Sequence, residues 1–207
     1  VDKYGADVLR VYVLFIGDYE KAAPWSDSSV RGCKRFLDRT AGLLDIAKGS
    51  GATPELESSL HKTVKKVSDD IEEMKFNTGI AARMTLINEI YDHGSLTVDE
   101  LKTFVSLLCP YAPHLSEEIW EKCGGKGLLS LGEWPEFDEA KTVDETVEIA
   151  VQICGKLRAT ITIPRDADKD EAIAAAKTDA RVAEQLAGKN IVKEIYVPGR
   201  IVNIVAK

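Results

Sequence analysis

The stretch SSVRGCKRFLDRTAGLLDIAK, residues 28–48, decides how the larger part of this chain is read. Laid out at about 100° per residue, Val30, Cys33, Phe36, Leu37, Leu43 and Leu44 share one side, and Arg31, Lys34, Arg35 and Arg39 share the other. That period predicts a helix that buries one face and offers cations on the opposite one. Ser28 is the expected N-cap, and Gly49 and Gly51 the stop.

Upstream, residues 4–16 read as another helix. It is apolar almost all round (Val8, Leu9, Val11, Val13, Leu14, Phe15, Ile16), which predicts burial on both sides. Gly17 and Asp18 end it, and Ala23-Pro24-Trp25-Ser26 is a connector. Downstream, Thr53 caps and Pro54 opens a helix over 54–74, striped by Leu56, Leu60, Val64, Val67 and Ile71. A fourth helix starts at Asn77 or Thr78 and ends near His93-Gly94. Thr97 caps a fifth, with Val98, Leu101, Val105 and Leu108 on one face. Pro110 and Pro113 break it, and a short helix follows through Glu117, Ile119 and Trp120. Up to Gly124 the pattern is an antiparallel helical bundle with short connections.

Beyond it the period changes. Gly124, Gly125, Gly127, Gly132 and Pro135 mark a linker over 125–144. Then VEIAVQICGKLRATITI, residues 147–163, alternates like two strands around a turn at Gly155. Ala-rich helical segments follow near 168–177 and 180–187. Strand-like runs over 191–197 and 201–206 flank Pro198-Gly199. The expected fold is therefore multidomain: an all-α helical bundle, then a small α+β domain of order β-β-α-α-β-β. The expected boundaries are 1–16, 17–124, 125–144 and 145–207.

Composition narrows the function. The 207 residues are 44% hydrophobic and 29% charged, as in globular proteins. No apolar run approaches the roughly 18 residues of a membrane span, and Asp2, Lys3, Asp7 and Arg10 rule out a signal peptide at the start. A first residue other than Met, inside a helical pattern, suggests a piece of a longer protein. The net charge of −7 argues weakly against nucleic acid. Its distribution matters more: residues 1–140 hold 16 basic and 24 acidic side chains, the remainder 11 and 10. A local basic surface binds phosphate even on an acidic protein. Cys33, Cys109, Cys123 and Cys154 lie far apart with no C-x-x-C pair and read as reduced thiols of a cytoplasmic protein.

No catalytic or metal arrangement emerges. Gly124-Gly125-Lys126-Gly127 lacks the spacing of a phosphate loop. Asp69-Asp70 and Glu72-Glu73, beside Lys65 and Lys66, read as a solvated helix face with i,i+4 ion pairs. His114 reads as a helix-start residue, and Trp120 and Trp134 as packing bulk. Two sets of cations remain. Arg31, Lys34, Arg35 and Arg39 could meet successive RNA phosphates, or simply solubilise a helix face. Lys156, Arg158, Arg165, Lys189, Lys193, Arg200 and Lys207 mark the small domain, where basic strands suit RNA but also guard a sheet edge. Tyr196 could stack on a base or sit in the core.

Several segments together resemble the bacterial-type leucyl-tRNA synthetases, which are class I aminoacyl-tRNA synthetases. Tyr4-Gly5-Ala6-Asp7-Val8-Leu9-Arg10 is similar to the helix that follows the Lys-Met-Ser-Lys-Ser loop of class I enzymes. Ala23-Pro24-Trp25-Ser26 with Arg35-Phe36-Leu37-Asp38-Arg39 resembles the entry to their anticodon-binding-type helical domain, and Phe76-Asn77-Thr78-Gly79-Ile80-Ala81 a further bundle segment. The run from Pro110-Tyr111-Ala112-Pro113-His114 to Glu118-Ile119-Trp120 is shared with valyl, isoleucyl and methionyl relatives. More discriminating are Val151-Gln152-Ile153-Cys154-Gly155-Lys156-Leu157-Arg158, close to the leucyl pattern Val-Gln-Val-Asn-Gly-Lys-Leu-Arg, and the closing Tyr196-Val197-Pro198-Gly199-Arg200-Ile201-Val202-Asn203. Cys154 stands where that family has Asn.

The resemblance implies a function. The parent enzyme is a leucine–tRNA ligase that uses ATP and Mg. Its His-Ile-Gly-His and Lys-Met-Ser-Lys-Ser motifs and its editing domain are absent from this chain, so the chain alone is expected to be inactive and cofactor-free. Its expected partners are leucine tRNA, through body, elbow and long variable arm, and the parent's own catalytic domain. The family is not thought to read the anticodon. A cytoplasmic monomer with no membrane contact is expected. The RNA-contacting candidates are Arg31, Lys34, Arg35, Arg39, Lys156, Arg158, Lys193 and Arg200, chosen by charge placement. Competing readings are a free-standing synthetase-derived tRNA-binding protein, the tail of another class I synthetase, and a structural or protein-interaction bundle.

Overall fold

Six α-helices are described in the N-terminal part, and four of them begin where a side chain or a proline relieves unpaired N–H groups. In the computed structural model the six are α1 (Ala6–Phe15), α2 (Asp27–Ile46), α3 (Pro54–Glu72), α4 (Phe76–His93), α5 (Val98–Leu108) and α6 (Pro113–Lys122). The structure describes residues 1–17, 24–143 and 146–206; Asp18, Ala23, Asp144 and Lys207, used in the sequence reading, lie outside these. The N-cap of α2 is Ser26, not the expected Ser28. Ser26 is extended and its hydroxyl accepts from the Ser29 N–H at 3.3 Å, whereas Ser28 bonds the Ser26 hydroxyl. Thr97 caps α5 in a capping box with Glu100. The buried Glu100 does more: it accepts from the Thr53 N–H at 2.5 Å and the Thr53 hydroxyl at 2.8 Å. Thr53 therefore precedes α3 without capping it by its side chain, and one carboxylate ties the starts of α3 and α5 together.

The bundle core runs through Tyr12, Phe36, Leu43, Ile87, Leu101, Phe104 and Leu108, with Val64, Val67 and Leu107 packed under α3. Helix α1 belongs to this core through Val8, Val11 and Tyr12. It does not follow the expectation of burial on both sides: Val13 is 49% and Ile16 40% exposed. Asp7 fastens α1 to the start of α6, accepting from His114 Nδ1 and from the Leu115 N–H, each at 2.8 Å. That is a carboxylate at a helix N-terminus, where the dipole favours it.

Two further expectations change. Asp70 is not on a solvated face: it is 2% exposed and paired with Lys66, while Lys65 reaches Glu139 instead of the neighbouring carboxylates. The stretch expected as a linker is, through Thr142, held against α3. Trp134 Nε1 donates to Ser68 Oγ at 2.8 Å, the Asp138 N–H to His61 Nδ1 at 3.1 Å, and Lys141 Nζ to Glu57 at 2.7 Å. Glycine-rich composition predicted freedom there, but side chains far upstream supply the partners.

The chain divides into two units, Val1–Thr142 and Val143–Lys207. The second holds β1 (Thr146–Ile153), β2 (Lys156–Pro164), α7 (Lys169–Thr178), α8 (Ala180–Leu186), β3 (Ile191–Val197) and β4 (Ile201–Ala206). The sheet order is β2-β1-β4-β3; β1 and β4 are parallel at its centre and the outer pairs antiparallel. Ile149, Val151, Ile163, Val202 and Ile204 form one buried face with Ala172, Ile173 and Val182 of the helices. A register shift beside Gln152 breaks the expected alternation of β2: Ala159 and Ile163 are buried, but Leu157 is 62% exposed. At the hairpin tip Cys154 has φ 50° and Gly155 φ 78°, the pair of left-handed residues that a two-residue hairpin loop requires.

Candidate nucleic-acid interface

Because α2 buries Val30, Cys33, Phe36, Leu37, Thr40 and Leu43, its cationic stripe faces outward. The four cations on it are not equivalent. Arg31 and Arg35 are exposed, and neither forms an ion pair among the described residues. Lys34 is bound to Asp38 one turn on, at 2.6 Å, so its charge is largely cancelled locally. Arg39 is half-buried and held: Nη1 donates to Asn88 Oδ1 of α4 at 2.6 Å, and the guanidinium lies 4.7 Å from the centre of the Tyr91 ring. Tyr91 is itself fixed, its hydroxyl donating to the Arg39 carbonyl at 2.8 Å. A glycine at position 42 allows this, since a Cβ there would lie 2.7 Å from the Tyr91 oxygen.

The face is thus built by α2 and α4 together. Asn88 and Tyr91 were not among the sequence candidates. They sit three residues apart on α4, which marks a shared side, but nothing in the local pattern says that this side opposes Arg39. By contrast, the lysines of α3 are already engaged, Lys65 with Glu139 at 2.5 Å and Lys66 with Asp70.

Behind this face α4 is anchored by a buried cation. Arg83 is fully buried, lies 3.7 Å from the centre of the Tyr111 ring and donates to the Leu107 carbonyl. Burial lowers its pKa to about 10, against the pull of Tyr111 and Asp70. The Tyr111 hydroxyl is pushed up, first by burial. Gly79 allows the close approach, because a Cβ there would be 2.9 Å from the Tyr111 oxygen. Burial also pushes the thiols of Cys33, Cys109 and Cys123 up, so they are protonated at neutral pH.

In the second unit the candidate cations do not form one cluster. Lys193 is on the open face of the sheet, opposite Val205. Lys156 follows the β1–β2 hairpin, beside Ile153, whereas Arg200 precedes β4 at the level of Ala150. Those two positions are at opposite ends of the central strand pair, about 10 Å apart along it. Arg158 falls at the register shift and is partly buried, its Nε shielded from solvent with no partner among the described residues. The open face is mixed: Ile195, 37% exposed, and Val197, 41% exposed, lie on edge strand β3 and Leu157 on the far edge strand β2, with Gln152 and Asn203 between them. Tyr196 is on the covered face and donates to the Ala167 carbonyl at 3.3 Å, which makes it a core residue and not a stacking platform.

A family model described as the anticodon-binding domain of tRNA ligase matches residues 54–173, more than half of the chain. The chain belongs to this family. The anticodon-binding-domain match begins with α3 and reaches into α7, so α1 and α2 lie outside it. Curated relatives extend over the whole. The leucine–tRNA ligase of Alkaliphilus oremlandii is 50% identical over 208 residues, which is 100% of this chain and 26% of that protein. That of Bdellovibrio bacteriovorus is 45% identical over 210 residues, 99% of this chain and 26% of its own length. The chain therefore spans about a quarter of the length of these relatives. Among solved structures, the ternary complex of the Agrobacterium radiobacter agnB2 LeuRS with tRNA and LeuAMS aligns with TM-score 0.72 and 31% identity, over 100% of this chain and 30% of that one.

Proposed function

We propose that this anticodon-binding-family chain is the tRNA-holding part of a leucine–tRNA ligase. It grips leucine tRNA while a catalytic domain elsewhere in the longer protein joins leucine to the acceptor end. The observation that carries this is the α2 face, where Arg31 and Arg35 are exposed and Arg39 is fixed in place by Asn88 and Tyr91. Guanidinium groups spaced one helical turn apart match successive phosphates, and an arginine already immobilised loses little entropy on binding. The contribution to catalysis is positioning.

The helical unit contacts the tRNA body. The small unit approaches the elbow and long variable arm with its open sheet face, Lys193 on it and Lys156 and Arg200 at its ends. A sheet face that mixes exposed apolar side chains with amides and cations suits base faces flanked by phosphates. Val13 and Ile16 of α1 are the surface on which the parent's catalytic domain rests. ATP and Mg serve that domain. Neither enters the role proposed for this chain, which is inactive alone. No described helix is long and apolar enough to cross a membrane, and the chain works as a cytoplasmic monomer.

The test is a salt titration of this chain with leucine tRNA, using serine tRNA as the long-armed control. Binding that weakens steeply with salt and prefers leucine tRNA supports the reading. Equal affinity for both would refute leucine specificity in these residues, and no binding at low salt would refute tRNA holding.

A further inference from the structure

Between α1, α2 and α4 lies an open groove of about 560 Å³. Its floor is apolar: Phe36 and Ile87 are buried, and Phe15 and Met84 partly so. Arg35, Arg39 and Asn88 stand on its walls. Phosphate docking alone needs cations but no apolar hollow. A merely solubilising face needs neither a hollow nor an immobilised guanidinium. Asn88 spends its Oδ1 on Arg39, and its two amide N–H donors have no partner among the described residues. Gly32 lines the groove as well, and a Cβ placed there would meet nothing within 4 Å.

An apolar floor, amide and guanidinium donors at one edge and a second cation one turn away complement the three parts of a nucleotide. Those parts are a flat base, an acceptor-bearing base edge and a phosphate. We propose that this groove holds one unstacked nucleotide of the bound tRNA, with its base against Phe15 and Met84, its edge on Asn88 and Arg39, and its phosphate on Arg35. The inference rests on tRNA being the ligand of the α2 face. It adds that the face takes a base out of the stack and does not only follow the backbone.

The chain's two methionines, Met74 and Met84, supply the test. Met74 is 64% exposed beyond the end of α3 and does not line the groove, so it is the internal control. With methyl-labelled methionine and unlabelled leucine tRNA, the Met84 signal moves upfield under the ring current of the base and the Met74 signal stays. Gly32→Leu fills the groove while keeping every arginine and favouring the helix. It weakens tRNA binding about tenfold, the scale of one lost base stack, lowers the salt slope by no more than about one, for the single phosphate on Arg35, and abolishes the Met84 shift. Gly32→Ala, too small to fill the groove, binds like the wild type. If tRNA binds but Met84 does not move, or Gly32→Leu binds as tightly as Gly32→Ala, no nucleotide enters the groove and the inference is overturned. If leucine tRNA does not bind the wild-type chain at all, the tRNA-holding role falls, and this inference with it.

Discussion

Arg39 on α2 and Asn88 on α4 are 49 residues apart in sequence and joined by a 2.6 Å hydrogen bond that fixes the guanidinium beside the groove. Asn88→Ala removes no charge but frees Arg39. It should weaken leucine tRNA binding roughly three- to tenfold, the scale of one charge-assisted hydrogen bond, without changing the salt slope. Arg39→Lys should lose a similar amount, since an ammonium cannot both reach Asn88 and lie on Tyr91. Fluorescence titration at two salt concentrations checks both, and a changed slope for Asn88→Ala would contradict the positioning role.

The stripe also predicts unequal cations. Lys34→Ala should alter affinity by less than about twofold, because Asp38 already neutralises that lysine. Asp38→Asn should strengthen binding by releasing Lys34. An effect of Lys34→Ala equal to that of Arg35→Ala would show that the number of charges matters and their placement does not.

The buried Arg83 cluster makes a prediction about stability. All three tryptophans, Trp25, Trp120 and Trp134, are in the first unit, so their fluorescence reports its unfolding alone. Arg83→Met removes a buried cation that acts on Asp70, leaving it Lys66 and the weaker pull of Lys75, and should cost about 3 kcal/mol. Tyr111→Phe should cost less than about 1 kcal/mol, because the buried hydroxyl has no hydrogen-bond partner among the described residues. Gly79→Ala should destabilise the wild type through its clash with that hydroxyl, and become neutral or stabilising in the Tyr111→Phe background, where helix propensity gains roughly 1 kcal/mol.

Glu117 supplies the pH dependence. Burial alone would raise its carboxyl, but the N–H groups of Ser130 and Leu129, at 2.9 and 2.7 Å, outweigh burial and hold it below the usual carboxylate range. A carboxylate depressed in the fold stabilises above its unfolded pKa, and that stability is lost as pH falls through the folded value. Glu117→Gln should therefore cost about 1 kcal/mol at neutral pH, with the gap from wild type closing under acid. A gap that stays constant into acid would assign the loss to packing.

Cys154 makes the opposite kind of prediction. With φ 50° it occupies a left-handed position that a cysteine adopts reluctantly and asparagine tolerates. Its thiol donates a weak hydrogen bond to the Ala206 carbonyl at 3.3 Å, and the Gly155 N–H is already satisfied by Asn203 Oδ1 at 3.2 Å. Cys154→Asn should stabilise the second unit by about 0.5–1 kcal/mol, read as slower amide exchange in β1 and β4. Faster exchange would mean the thiol interaction outweighs the strain.

Legibility in the sequence followed interaction range. Helices α2 to α6 and the strand pairs were visible because the 3.6 and 2.0 periods are local, and Thr97 with Glu100 is a local signature. The cap of α2 was displaced because two serines competed, and Ser26 has the extended backbone. Residues 125–142 read as a linker because the partners that hold them, Ser68, His61 and Glu57, lie far upstream. Of the candidate site, charge periodicity found Arg31, Arg35 and Arg39. It did not find Asn88 and Tyr91, whose role exists only once α4 lies beside α2. It counted Lys34 with the others although Asp38, visible in the sequence, dilutes the stripe; the structure pairs the two at 2.6 Å.

The most direct test of the central claim compares the salt dependence of leucine tRNA binding for the wild-type chain and for Arg31→Glu/Arg35→Glu. The account predicts weaker binding at every salt concentration and a slope smaller by about two, one for each phosphate no longer neutralised by an arginine, with Trp fluorescence showing an intact helical unit. An unchanged affinity and slope in that folded variant would contradict it and remove α2 from the tRNA interface.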